Sequence, residues 1–370
     1  MGIKIDIIEE GDLTKANDRS NEDEDSTKVK SAPKVMKWGL LLLSCILNFS
    51  GMTGGPILLR LYFLHGGNRK WLSSWLQMAG FPILIIPLMI LYCQRDRSLP
   101  NISFFASRKL LFYATIIGAA QGVDNFLYCY GLSFLPVSTS SLLVATQLIF
   151  TSFVSFIWVK QKFTHYTVNA IIVMTMGSIL LGIRRAGDRP PGVTTSQYLQ
   201  GFFITIAAAA FVAFILVGTQ VAYAKANQAV TYPIVLQFQL CLALSATVTC
   251  TIGSLINKEF SAIQSEASEF DFGAKTYYLV LVLNMIVWQL MFIGRVGIIF
   301  CASSLFASVT SATFLPITQT AAVITFHENF PAEKGMALAL TLWGFTSYIY
   351  GSYMTERRIK SLTQLTSNSK

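Results

Sequence analysis

GVDNFLYCYGLSFLPVSTSSLLVATQLIFTSFVSFIWVKQKFT, residues 122–164, decides the fold. Between Lys109 and Lys160 the single charged side chain is Asp124, set in otherwise uncharged and mostly apolar sequence. A helix that crosses a bilayer needs about 20 apolar residues to cover roughly 30 Å of hydrocarbon. The stretch supplies two such lengths, hinged at Leu135-Pro136, because proline closes one helix and opens the next. Asp124 sits near the middle of the first. An ionisable group at that depth costs about 2.5–3.5 kcal/mol on insertion scales, so it faces a protein cavity.

Two roles are open to this carboxylate. It can fix helix packing through hydrogen bonds to neighbouring polar groups. It can also act as a protonatable switch, taking up a proton on the outer side and releasing it inside. Gln121, Asp124 and Tyr128 stand at i, i+3 and i+7, on one helix face, and Asn125 lines the same opening obliquely.

Composition extends this reading to the whole chain. Hydrophobic residues make up 53% and charged residues 13% of the sequence, against about 25% charged in an ordinary soluble domain. The mean hydropathy is +0.53. The fold class expected is an all-α polytopic membrane protein. The net charge of +9 is not gathered into a basic patch with interleaved aromatics, which excludes a nucleic-acid surface; it fits lysines and arginines anchoring cytoplasmic loops. The six cysteines have no metal-like spacing and read as small apolar residues. No GxSxG, HExxH, P-loop or CxxC pattern occurs, and His65, His165 and His327 all fall at span ends. Neither an enzyme nor a cofactor or metal site is expected.

Residues 1–33 are rich in charge, poor in aromatics and without an apolar face, so they read as a disordered cytoplasmic tail rather than a signal peptide. Ten apolar runs follow, at 38–63, 71–93, 110–131, 137–159, 165–183, 198–223, 233–256, 276–294, 303–326 and 335–353. Pro56, Pro82, Pro87 and Pro316 mark bends within them. Lysines and arginines are more frequent on the loops that share a side with the amino terminus, among them Arg95, Arg97, Arg108, Lys109, Lys160 and Lys162. Both termini are therefore expected in the cytoplasm, with 356–370 as a carboxy-terminal tail, and the Asn101 sequon is expected to stay unglycosylated. The sequence GLSFLPVSTSSLLVATQLIF from Gly131 resembles GIIFCASSLFASVTSATFLP from Gly297. Five spans in 34–190 and five in 191–355 form an odd-numbered repeat, so the halves must be inverted across the membrane. In that arrangement a substrate lies near the midplane between the repeats and access alternates by rocking.

A planar heterocycle in such a site needs carboxamides, which offer both donor and acceptor, and an aromatic face on which to stack. Asn125, Gln147, Trp288 and Gln289 supply these groups; each alone can equally be interhelical glue. Asn48, Thr53, Gln237, Gln239 and Gln319 are further intramembrane polar residues. Arg60 is either an anchor reaching the outer headgroups or a gate at the mouth. No acidic residue other than Asp124 lies within the apolar runs, which makes it the one buried carboxylate expected.

The pieces D-N-x-L-Y-x-Y-G-L, L-P-V-S-T-S-S-L, T-Q-L-x-F and V-K-Q-K-F-T resemble the plant purine permease family of the drug/metabolite transporter superfamily. GGPILLRLYF at 54–63, WLSSWLQMAGFPILIIPL at 71–88, IFCASSL at 299–305 and LWGFTSYIYG at 342–351 extend the resemblance over roughly 38–355. It implies uptake of adenine-like bases and cytokinins, coupled to protons, at the plasma membrane. Another aromatic heterocycle such as an alkaloid or vitamin, an exporter, or an uncoupled facilitator, stays open. Asp124-Asn125 matches the family's D-N pair, Gln147 its T-Q-L and Trp288-Gln289 its W-Q pair. The chain departs from the pattern at Gln319, where some members carry Glu, and at Arg295, which replaces a small residue.

Overall fold

The computed structural model describes residues 34–93, 104–160, 163–182, 193–226, 228–326 and 332–368. The expected disordered tail, the Asn101 sequon and His327 lie outside these residues.

Hydrocarbon offers backbone N–H and C=O groups no partner, so apolar runs of this length fold as helices. The first forms α1 (Lys34–Leu64), which carries Pro56 within it. The second run is not one helix. It breaks into α2 (Lys70–Ala79), a single 3-10 turn over Phe81–Leu84, and α3 (Ile85–Cys93). Pro82, at the start of the turn, lacks the N–H that would continue α2. Next comes α4 (Arg108–Phe134), capped by the Ser107 hydroxyl, which accepts from the Leu110 N–H at 3.3 Å. Leu135 is extended (φ −113°, ψ 147°), as a residue before proline tends to be, and it ends α4 where the sequence puts the hinge.

The fourth run also breaks, into α5 (Val137–Ala145) and α6 (Gln147–Trp158). The chain continues through α7 (His165–Gly182), α8 (Thr195–Ala224) and α9 (Tyr232–Ile256). Thr194 and Gln197 close a capping box at the start of α8. A short α10 (Ile263–Glu269) precedes α11 (Gly273–Cys301), α12 (Ser304–Phe326) and α13 (Ala332–Asn368), the last running past its apolar segment. Among the described residues six helices are long and apolar enough to cross a membrane, counting α2–α3 as one: Trp38–Leu64, Lys70–Cys93, Arg108–Phe134, Thr195–Ala224, Tyr232–Ile256 and Gly273–Cys301. Large apolar side chains such as Ile86, Phe112, Phe153, Phe203 and Ile256 point outward, a surface suited to lipid rather than water. The protein is a multi-pass membrane protein.

The helices pair closely. α1 lies along α11, α4 lies against both α8 and α9, α2 packs on α9 and α7 on α13, and α12 meets α1, α5 and α6. With lipid as solvent, such pairs are held by close backbone approach rather than by a hydrophobic driving force. At the α1–α11 crossing a Cβ on Gly294 would stand 2.5 Å from the Ser44 carbonyl oxygen, so only glycine permits this spacing.

One expectation needs correction. Asp124 is not the one buried carboxylate: Glu259 and Glu266, which follow α9 and precede α11, are only 7% and 6% exposed. Glu266 accepts from the Tyr62 and Tyr277 hydroxyls (2.7 and 2.8 Å) and from the Asn68 N–H (2.7 Å). Glu259 accepts from the Leu72 N–H in the first turn of α2 at 2.7 Å. Their sequence is that of a polar loop, and long-range partners bury them. Together they fasten 257–272 over the junction of α1 and α2.

Candidate functional site

The cavity lies where α1, α4, α8 and α11 meet the two broken helices. Its lining includes Met52 and Pro56 of α1, Gln77 of α2, Gln121, Asp124, Asn125 and Tyr128 of α4, and Val144 and Gln147 at the α5–α6 break. Ala208, Ala209 and Val212 of α8 and Trp288, Met291, Phe292 and Arg295 of α11 complete it. The empty space among these residues, counting its open mouth, is about 600 Å³.

On α4 three polar residues share one face, as their spacing predicts. The Gln121 amide nitrogen donates to Asp124 Oδ2 at 3.0 Å and to Asn125 Oδ1 at 2.9 Å. This leaves Asp124 Oδ1 and Asn125 Nδ2 without a protein partner. Both residues are nearly enclosed, 5% and 2% exposed, so these free atoms are costly unless something in the cavity completes them. Gln147 is the first residue of α6, directly after the break, and its nitrogen donates to Ser308 of α12 at 3.3 Å. The aromatic wall is Trp288. Its ring meets Tyr128 edge-on (5.7 Å, 73°) and stacks on Phe292 (6.2 Å, 29°), while its indole N–H is unpartnered. Gly55 gives the indole its place beside α1, since a Cβ there would sit 2.8 Å from Trp288 Cε2.

An acceptor carboxylate, ambivalent amides and an aromatic face around one cavity can hold a flat, polar-edged heterocycle. None of these groups forms a nucleophile–base pair, and among the described residues no cluster of His, Cys, Asp and Glu could hold a metal.

A family model for purine nucleobase transmembrane transport matches residues 39–358. The chain belongs to this family. Purine permease 3 of Arabidopsis thaliana is 45% identical over 87% of the chain and 93% of its own length. Purine permease 2 of the same plant is 41% identical over 88% and 95%, and Purine permease 21 is 32% identical over 95% and 90%. A solved crystal structure that is 15% identical superposes with a TM-score of 0.54, covering 82% of this chain and 97% of the other, which speaks for the fold alone. The purine nucleobase transporter family is one of carriers, so the chain is not an enzyme.

In this family member the structure brings together Asp124, Asn125, Tyr128, Gln147 and Trp288 at one cavity. It does not bring Gln289 there. That side chain is fully buried with both amide atoms unpartnered, and its Cβ lies towards Gly80 at the α2 break. Arg60 is buried too, and its guanidinium donates to the Leu132 carbonyl at 3.2 Å, at the end of α4, instead of standing among the cavity residues. Gln319 falls on α12, with its side chain outside the described residues. Thr53 lies 3.5 Å from Thr318, and Gln237 secures the approach to α4 through the Ala106 N–H and the Phe104 carbonyl.

Two polar lining residues have no part in the sequence-derived site. Gln77 is the one carboxamide in the run 71–93 and could have been chosen on that ground. Arg295 stands out in the sequence only as a departure from the family pattern, although a cation in an apolar stretch is itself a signal.

Proposed function

We propose that the protein is a secondary carrier that takes up purine bases and their derivatives, adenine and cytokinins among them, by alternating access at the plasma membrane. Ten spans in a 5+5 inverted repeat form the frame, with both termini cytoplasmic. The pairing of helices supports that frame. If the five runs to residue 182 are exchanged in order for the five from 195 onward, α1 on α11 becomes α8 on α4, while α2–α9, α6–α12 and α7–α13 map onto themselves. An odd number of spans per half makes such an exchange an inversion across the bilayer.

The observation that carries the function is the enclosed carboxylate with a free oxygen in the same cavity as the free amide of Asn125 and the Trp288 face. In this reading Asp124 couples transport to protons: it is neutral on one side of the cycle and ionised on the other, and substrate occupies the amides beside it. Asn at this position keeps an oxygen to accept from Gln121 but removes the charge change. In cells expressing the protein, Asp124→Asn should still exchange labelled for unlabelled adenine, yet fail to concentrate it and lose the dependence on external pH. Accumulation driven by a pH gradient in that variant would return Asp124 to a packing role. Unlabelled cytokinin, alkaloid and vitamin competitors in the same assay rank the cargo.

A further inference from the structure

Arg295 is a cation inside the bundle that touches no carboxylate. The residue is 8% exposed and lines the cavity. Its Nη2 lies 3.8 Å from the Met291 sulfur, its guanidinium carbon is 5.6 Å from the centre of the Phe292 ring, and its Nε has no partner. Close contacts between acidic and basic side chains lie elsewhere among the described residues, His65 with Asp271 at 3.0 Å and Arg69 with Glu266 at 3.9 Å. Of the residues that line the cavity, Asp124 and Arg295 are the two that carry charge, one from α4 and one from α11. Both helices pack on α1, α2 and α8, so the two groups stand on different walls. They act on each other electrostatically across that space. Away from water such an attraction reaches well beyond contact.

We infer that Arg295 is the standing countercharge of Asp124, which lets the carboxylate give up its proton inside the bundle and so sets the pH range over which the carrier works. Two forces act on that carboxylate, and they oppose one another. Burial favours the neutral acid, and the guanidinium favours the ionised form. Arginine stays charged throughout, so the cavity is electrically neutral when Asp124 is ionised and positive when it is protonated. No other neighbour can take this part. Tyr128 and Cys129 of α4 itself, and Cys250 of α9, whose thiol donates to the Gly122 carbonyl at 3.5 Å, carry no positive charge in either of their forms. Arg60 of α1 is bound to the Leu132 carbonyl, and Lys70 of α2 lies over the Tyr130 and Phe134 rings at 4.3 and 4.4 Å. The sequence of α5 has no titratable side chain, and that of α8 has none but tyrosines. Standing off from the carboxylate also leaves Asp124 Oδ1 free, where a contact ion pair would occupy it. The inference rests on the reading of Asp124 as the coupling group and adds what keeps it able to titrate.

The test is exchange of labelled for unlabelled adenine by the full chain with the same pH on both sides of the membrane, so that no gradient drives it. Exchange runs through the loaded, protonated carrier, and its rate against pH reports how firmly Asp124 holds the proton. In the wild type it should decline as pH rises. In Arg295→Gln, and in Arg295→Met, whose apolar chain suits the Met291 and Phe292 surroundings, the decline should move to higher pH by about one unit or more, the lower end of what a nearby opposite charge does to a carboxylate. Arg295→Lys keeps the charge and should keep the decline near the wild-type pH. The midpoint of such a profile is independent of how much carrier reaches the membrane. A midpoint unmoved in the neutral variants, or moved as far in Arg295→Lys, overturns the inference, and so does a change confined to adenine half-saturation, which would make Arg295 a substrate contact. If both neutral variants fail to reach the membrane, adding Asp124→Asn should bring them back, because it removes the carboxylate left without its countercharge; no recovery overturns the pairing. A wild type whose exchange does not vary with pH overturns the coupling reading itself, and the inference with it.

Discussion

Gly55→Ala tests whether α1 sets the position of the aromatic wall. A methyl group on Gly55 would lie 2.8, 3.0 and 3.1 Å from Trp288 Cε2, Cζ2 and Cδ2. Carbon atoms rest about 3.5–4.0 Å apart, so the indole must retreat by roughly 0.7 Å or α1 must move. The ring cannot fold away as a flexible chain could, and it is bounded by Phe292 and Tyr128. Overpacking of this kind costs about 1–3 kcal/mol, a factor of about 5–150 in an equilibrium constant. Some of that falls on stability and some on substrate affinity, because the displaced ring is the face on which a base would stack. The measurements are half-saturation for labelled adenine at matched surface expression, and the thermal unfolding temperature of the purified chain in detergent. Trp288→Phe supplies the control, since a smaller ring leaves room for the methyl group. The two substitutions should then be non-additive by about 0.5–3 kcal/mol, as contacting residues are. Unchanged half-saturation and unfolding temperature in Gly55→Ala, or strict additivity in the double variant, would refute the argument.

The remaining expectations concern the amide at the α5–α6 break and the fastening of 257–272. Gln147→Ala leaves the space its amide occupied and unpairs any polar edge bound there, so adenine half-saturation should rise by about 5–150-fold with little change in maximal exchange rate; equal half-saturation at normal surface expression removes Gln147 from the site. Burial pushes the Glu259 carboxyl above its ordinary 4.5, so between that pH and the raised value the folded protein holds a proton there that the unfolded chain has lost. The stability contributed by that proton is present below pH 4.5 and declines as pH rises through the raised value. Glu259→Gln keeps an oxygen for the Leu72 N–H and carries no titrating group, so its unfolding temperature should fall less between pH 4 and 7 than that of the wild type; parallel profiles would show that burial of this carboxyl does not govern the slope.

Much of the site was legible because intramembrane polarity is rare enough to be informative. Asp124 interrupts a long uncharged stretch, and its spacing from Gln121 and Tyr128 places all three on the face that lines the cavity. Gln289 shows the limit of that logic. It is adjacent to Trp288 and therefore points in another direction round the helix, so membership of the same dipeptide said nothing about a shared cavity. Glu259 and Glu266 were missed for the opposite reason. Their neighbours in sequence are polar, and their partners come from Tyr62, Asn68 and Leu72, far along the chain. Burial by long-range partners leaves no local trace.

The broken helices mark the boundary between what local chemistry dictates and what tertiary packing adds. The α2–α3 break has a local cause in Gly80 and Pro82, which the sequence displays as a bend. The α5–α6 break has none, for neither glycine nor proline stands at Thr146. There the Thr146 hydroxyl donates to the Leu143 carbonyl at 2.6 Å, and the Thr146 N–H bonds to the same carbonyl at 3.1 Å, a three-residue closure that tightens the turn. Backbone groups released by an interruption at membrane depth survive only where protein or a hydrated cavity satisfies them. Gln77 lies just before the first interruption and Gln147 just after the second, and both amides line the cavity. The cavity and the breaks therefore sustain one another: the polar space permits the irregular backbone, and the irregular backbone delivers an amide from each of two helices that would otherwise present uninterrupted hydrocarbon.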